Sequence, residues 1–148
     1  AIAMIGCDMT YASRGPTHFY GHGSPDPLRD DVTLRSLPAK SARLAALAAK
    51  NNCAMVNLYS NPSQLTFPRA RLLTVAAQKP VQHNTTAVAA ALAMERTLGY
   101  YVPSGKYWEV EHTFDPAQID ALDAMWLALA SPAQSKQSNP PQAARRCG

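Results

Sequence analysis

Nowhere among the 148 residues is there an apolar run approaching the roughly 20 residues that a bilayer-spanning helix needs, so no transmembrane segment is expected. The opening AIAMIG is apolar but short, carries no basic region and leads into polar residues, which argues against a secretory signal. Cysteine is scarce: Cys7, Cys53 and Cys147 form an odd set with no CxxC spacing, and the first two sit in strand-like apolar runs. Buried thiols in a reducing compartment are expected, and with them a cytoplasmic location. No GxSxG, Walker or GxGxxG pattern occurs, which removes nucleophile-elbow hydrolases and the familiar phosphate loops from first consideration. Acidic residues are missing from residues 131–148, where Lys136, Arg145 and Arg146 account for three of the four net positive charges. The rest of the chain is near neutrality and lacks a basic face with interleaved aromatics, so no nucleic-acid partner is expected.

What remains is the composition of an ordinary globular protein, 47% hydrophobic and 16% charged, with length for one domain. We read residues 1–130 as a single α/β domain or the carboxyl-terminal part of one, and 131–148, which lacks apolar periodicity, as a disordered tail. The chain has no initiator Met and opens inside a strand, so further sequence is expected before Ala1.

Residues 1–7 form a continuous apolar run of strand length with no alternation, the pattern of a strand covered on both faces. Residues 10–34 change to Gly, Pro, Ser, His and Asp, and Pro16, Pro25 and Pro27 forbid a long helix there. A loop of that length inside a domain usually carries function. Leu34, Leu37, Leu44, Leu47 and Ala48 then recur at helical spacing, with Arg35, Lys40, Arg43 and Lys50 at the other positions. This predicts a helix over about 36–50 that admits Pro38 in its first turn and stops at Asn51 and Asn52. Residues 53–59 read as a second strand. Strand, loop, helix, strand is a right-handed parallel βαβ unit, which brings Asp8 and Ser60 to the carboxyl edge where such sheets bind ligands.

Residues 60–68 form a turn-rich loop, and 69–83 stay open between helix and strand. A helix over 86–98 is expected, capped by Thr85 or Thr86 and closed by Gly99. Residues 100–112 read as an unassigned loop whose Tyr100, Tyr101, Tyr107 and Trp108 pack as core or form a contact surface, core being the preferred reading. A last helix starts with Asp115, Pro116 and Gln118, and Ile119, Leu122, Met125, Trp126 and Leu129 supply its buried stripe. The expected fold class is thus α/β: an incomplete Rossmann-like parallel sheet followed by a helical carboxyl-terminal region.

Chemistry gathers on the first loop, where Asp8, His18, His22 and Asp26 combine imidazole with carboxylate, the pairing for proton transfer near neutral pH. Asp8 suits either capping of loop amides or a ligand or catalytic role. His18, between Thr17 and Phe19, suits a structural hydrogen bond, and Asp26, between two prolines, a turn. His22 stands between Gly21 and Gly23, which let backbone approach a ligand closely, and it is the favoured functional residue. His83 and His112 have no evident partner in the sequence.

GCDMTY after an apolar strand, then THFYGHG, a helix and the strand-loop MVNLYSNPSQL, resemble the latter half of the nucleotide-binding domain of bacterial sialyltransferases and, at the strand-end acid, the flagellin-modifying motility accessory proteins. The likeness covers residues 2–65. It implies a metal-independent glycosyltransferase that moves a sugar from a cytidine-type nucleotide donor to a glycan or protein acceptor. The nucleotide sugar is then a substrate, and no cofactor is called for. On this resemblance His22 is the catalytic base and Asp8 the strand-end acid. His18, Tyr11, Tyr20, Gly21, Asn61 and Ser63 contact substrate, the tyrosines serving the departing phosphate. The donor-binding first half of that family has no counterpart in the chain, which is therefore expected to be inactive alone and to need an upstream domain or a partner chain. Two other classes stay open: a metal-dependent hydrolase with His18 and His22 as ligands, and a non-catalytic α/β module binding a glycan or protein.

Overall fold

The first apolar run condenses in the computed structural model to a short strand, β1 (Ile2–Met4), and the structure as a whole describes residues 1–8, 10 and 32–130. β1 pairs in parallel with β2 (Met55–Asn57), in the register Ile2↔Met55, Ala3↔Val56 and Met4↔Asn57. Between them in sequence lies α1 (Leu37–Lys50), so the strand, helix and parallel strand expected from the sequence are present. A single parallel bridge from Asn57 to Arg69 continues the sheet on the far side of β2.

β2 is buried throughout, but β1 is not covered on both faces as its sequence predicted: Ile2 is 46% exposed and Ile5 75%. The apolar run overstates the strand because it ends at Gly6, which adopts φ +67°, a left-handed conformation that breaks extended geometry. Cys7 and Cys53 are only half-buried for the same reason of position, lying just outside the two paired segments, and Cys147 lies outside the described residues.

Three helices supply most of the core. α1 begins at Ser36, whose hydroxyl accepts from the Ala39 amide at 3.2 Å, and ends at Asn51 as expected. α2 (Thr85–Thr97) is capped by Asn84, one residue earlier than the threonines suggested. The Asn84 side-chain oxygen accepts from the Ala87 amide at 3.1 Å, and asparagine is at least as good a cap as threonine. Gly99, at φ +63°, closes it. α3 (Pro116–Ala130) starts after Asp115, whose carboxylate accepts from the Ala117 amide at 2.9 Å. Ala39, Ala42 and Ala46 of α1 meet Val88 and Ala91 of α2 and Ile119, Leu122 and Trp126 of α3, with Tyr100 beside them. Short side chains on α1 let the helices approach closely, and Trp126 fills the centre.

The buried stripe of α1 is therefore alanine, and Leu44 of the expected stripe is exposed. Lys40 and Arg43, which the sequence placed off the apolar stripe, turn toward α3 and α2. Lys40 Nζ donates to Asp123 at 2.8 Å, and Arg43 binds the buried Glu95. Residues 69–83 resolve into the bridge at Arg69 and a 3₁₀ turn, Leu72–Ala77. In 100–112, Tyr100 packs on Tyr107 and edge-on against Phe114 as core, whereas Tyr101 and Trp108 are exposed, against the core reading. No helix among the described residues is long and apolar enough to cross a membrane. The described chain is a mixed fold with a two-stranded parallel sheet and a helical carboxyl-terminal region.

Candidate functional site at the carboxyl edge of the sheet

The segments leaving β1 and β2 run side by side, joined where the Gln64 amide donates to the Asp8 carbonyl at 2.8 Å. Asp8 thus meets the post-β2 loop at Gln64 rather than at Ser60. Its carboxylate accepts from the Thr10 amide at 3.1 Å. Hydrogen bonds from Thr10 hold the Asp8 carboxyl below its ordinary range, so it carries charge at neutral pH and is a weak proton acceptor. This supports the loop-capping role for Asp8 and leaves a charge-holding one available.

The organising residue of the post-β2 loop is Asn57, the last residue of β2. It is 1% exposed, and its amide uses both ends: the oxygen accepts from the Tyr59 amide at 2.9 Å and Nδ2 donates to Ser63 Oγ at 3.2 Å. Ser63 Oγ also accepts from the Leu65 amide at 3.1 Å. Asn61 Nδ2 donates to the Tyr59 hydroxyl at 3.2 Å, and its carbonyl accepts from Arg69 at 2.9 Å. A buried asparagine at a strand end thereby folds a tight loop that carries Asn61 and Ser63 to the same edge as Asp8.

Beside this loop opens a broad cleft of about 1080 Å³ between Ile5, the end of β2 and the 3₁₀ turn. Arg69 and Arg71 are its charged side chains, and among the described residues no acid lines it. Arg71 makes no ion pair among the described residues. Two guanidiniums with no acid beside them among the described residues suit an anion, and guanidinium geometry suits phosphate in particular.

Asp8, Asn61 and Ser63 are the candidate residues that the structure brings together. His22, His18, Tyr11, Tyr20 and Gly21, as well as Asp26, lie outside the described residues. Asn57, Arg69 and Arg71 escaped the sequence reading. The arginines follow Pro68 directly, but their segment has neither helical nor strand periodicity, so nothing in the sequence aimed them at the sheet edge. His83 does have a partner: its Nδ1 lies 3.2 Å from the Leu129 carbonyl, and its Nε2 is buried without one. Among the described residues no group of three or more His, Cys, Asp or Glu is placed to hold a metal ion.

No protein-family model, no curated protein and no solved structure matches the chain.

Proposed function

We propose that the chain is a glycosyltransferase-like protein of the bacterial sialyltransferase kind, built on a Rossmann-like sheet. It acts in the cytoplasm on a cytidine-type nucleotide sugar and a glycan or protein acceptor. The observation that carries this reading is the pair Arg69 and Arg71 on a cleft at the carboxyl edge of parallel strands, lined by no acid among the described residues, at the place where open α/β sheets take nucleotides. The arginines would balance the donor phosphate, with Tyr11 or Tyr20 donating to it. The acceptor hydroxyl oxygen attacks the anomeric carbon, the bond from that carbon to the phosphate oxygen breaks, and the nucleotide leaves with the electron pair. His22 takes the hydroxyl proton. Asp8, kept ionised by Thr10, supplies negative charge near the forming sugar cation. The nucleotide sugar is a substrate, and the chemistry requires no metal or further cofactor. Transfer is expected only with an additional donor-binding domain or partner chain.

Binding is therefore the cleaner test. Titration of the full chain with cytidine monophosphate should show saturable, salt-sensitive binding that Arg71→Ala weakens about tenfold, the scale of one charge-assisted hydrogen bond. Failure to bind the nucleotide, or unchanged binding in both Arg69→Ala and Arg71→Ala, would overturn the reading.

A further inference from the structure

A second hollow, which shares no lining residue with the arginine cleft, has different chemistry. It lies between the carboxyl half of α1 and the amino half of α2, half-enclosed, with a volume of about 230 Å³. Its walls are Ala46 and Ala49 from α1 and Val88, Ala89 and Leu92 from α2, with Val81 at the outer side. The alanines explain the space, because a methyl group at three facing positions is too short to close the gap between two helices. Protein interiors ordinarily leave few voids of this size, and leucine at any of these alanines would take up part of it.

The outer wall is held in place. His83 lines the same cavity, and the Leu129 carbonyl can only accept, so His83 Nδ1–H donates to it and ties residues 81–83 to α3. A wall pinned in this way costs little further ordering when something binds. Val81 remains 40% exposed at the rim, apolar surface that the described chain does not cover. Lys50 is the charged residue of the lining; among the described residues no acid lines the cavity and Lys50 has no ion pair.

We infer that this cavity binds a small amphiphilic acid, with an apolar body between the helices and a carboxylate at Lys50. A cavity of roughly 150 Å³ accepts benzene, so this one suits a body of about six to eight carbons. The helix walls are apolar and the polar residues Gln82, His83 and Thr85 sit with Lys50 in the lining, so the site favours an apolar body over a nucleotide, and Lys50 selects an anionic head group over a neutral one. This site is independent of the arginine cleft and stands whether or not that cleft takes a nucleotide.

The test is an NMR titration of the full chain with phenylacetate, its neutral counterpart 2-phenylethanol, and acetate. Phenylacetate should bind once per chain and shift the amides of Ala46, Val88 and Leu92, while acetate leaves them unmoved. The alcohol should bind about fivefold more weakly, the scale of one partly exposed ion pair. Lys50→Gln should bring the acid down to the level of the alcohol. Ala89→Phe should abolish binding of both, and because Ala89 is solvent-exposed the variant keeps the fold, which circular dichroism checks; Ala49→Leu provides a second filled cavity. Absence of saturable shifts at these amides with phenylacetate, equal affinity for acid and alcohol, or undiminished binding in both filled variants would overturn the inference.

Discussion

Arg43 of α1 grips Glu95 of α2 with two guanidinium nitrogens, at 2.5 and 3.0 Å, and the same Glu95 carboxylate accepts from Trp126 Nε1 of α3 at 3.1 Å. One buried acid thus joins three helices, and hydrogen bonding to it raises the Arg43 pKa further above its ordinary value. Glu95 is 5% exposed, so its charge stays inside only because these donors surround it. Removing the arginine strands the carboxylate. Arg43→Ala is expected to cost about 2–3 kcal/mol, less than the 3–5 kcal/mol for breaking a fully buried pair, because solvent already reaches part of the arginine. Glu95→Gln, which retains an acceptor for Trp126, should cost less. Urea midpoints of the two variants check the order, and equal losses would remove the stranded charge as the cause.

Asp123 of α3 gives a pH signature. Its Oδ1 accepts from Lys40 at 2.8 Å, but Oδ2 is buried without a partner, and burial raises its carboxyl above the ordinary aspartate range despite the lysine. Folding therefore favours the protonated form. Its stabilising contribution is fully present below the unfolded pKa and is lost as pH rises through the folded one. The other charged groups facing it, Arg35 and Asp120, pull in opposite directions. Asp123→Asn, which does not titrate, should gain on the parent protein as pH rises from the ordinary aspartate range through the raised folded-state pKa and hold a constant difference above that. Denaturation midpoints measured across the window would refute this if the parent protein gained instead.

Asn57→Ala tests the loop at the sheet edge. It leaves the Tyr59 amide and Ser63 without their side-chain partner, for about 1–3 kcal/mol in stability. Because the loop positions Asn61 against Arg69, the same variant should weaken nucleotide binding several-fold, on the order of 1 kcal/mol, even though Asn57 carries no charge. A stability loss with unchanged nucleotide affinity would separate the loop from the cleft.

Gly99 closes α2 at φ +63°, with nothing among the described residues within 4 Å of where a Cβ would sit. Gly99→Ala should therefore cost only the left-handed backbone penalty, about 1–2 kcal/mol, with no steric addition. Thermal unfolding measures it, and a much larger loss would point to a contact beyond the backbone.

Local features of the sequence settled the elements. Ser36, Pro38 and Asn51 bounded α1, Asp115 and Pro116 started α3, and the two short apolar runs separated by a helix required parallel strands, because caps, fixed φ and crossover handedness act within a few residues or a single unit. Side-chain facing needed the tertiary structure. Lys40 and Arg43 fell off the apolar stripe by period alone, and only the arrival of Asp123 and Glu95 from elements far along the chain made them half-buried partners of buried acids. Asp8, Asn61 and Ser63 were legible as polar residues after strands, whereas Arg69 and Arg71 became part of the cleft through the single bridge at Asn57. A pairing between distant residues leaves no periodic trace in either segment. The sequence by itself therefore determined the order of strand, helix, strand and helices and the ends of α1, and the tertiary structure decided how much of each apolar run pairs as strand, which charges face inward and which residues share an edge.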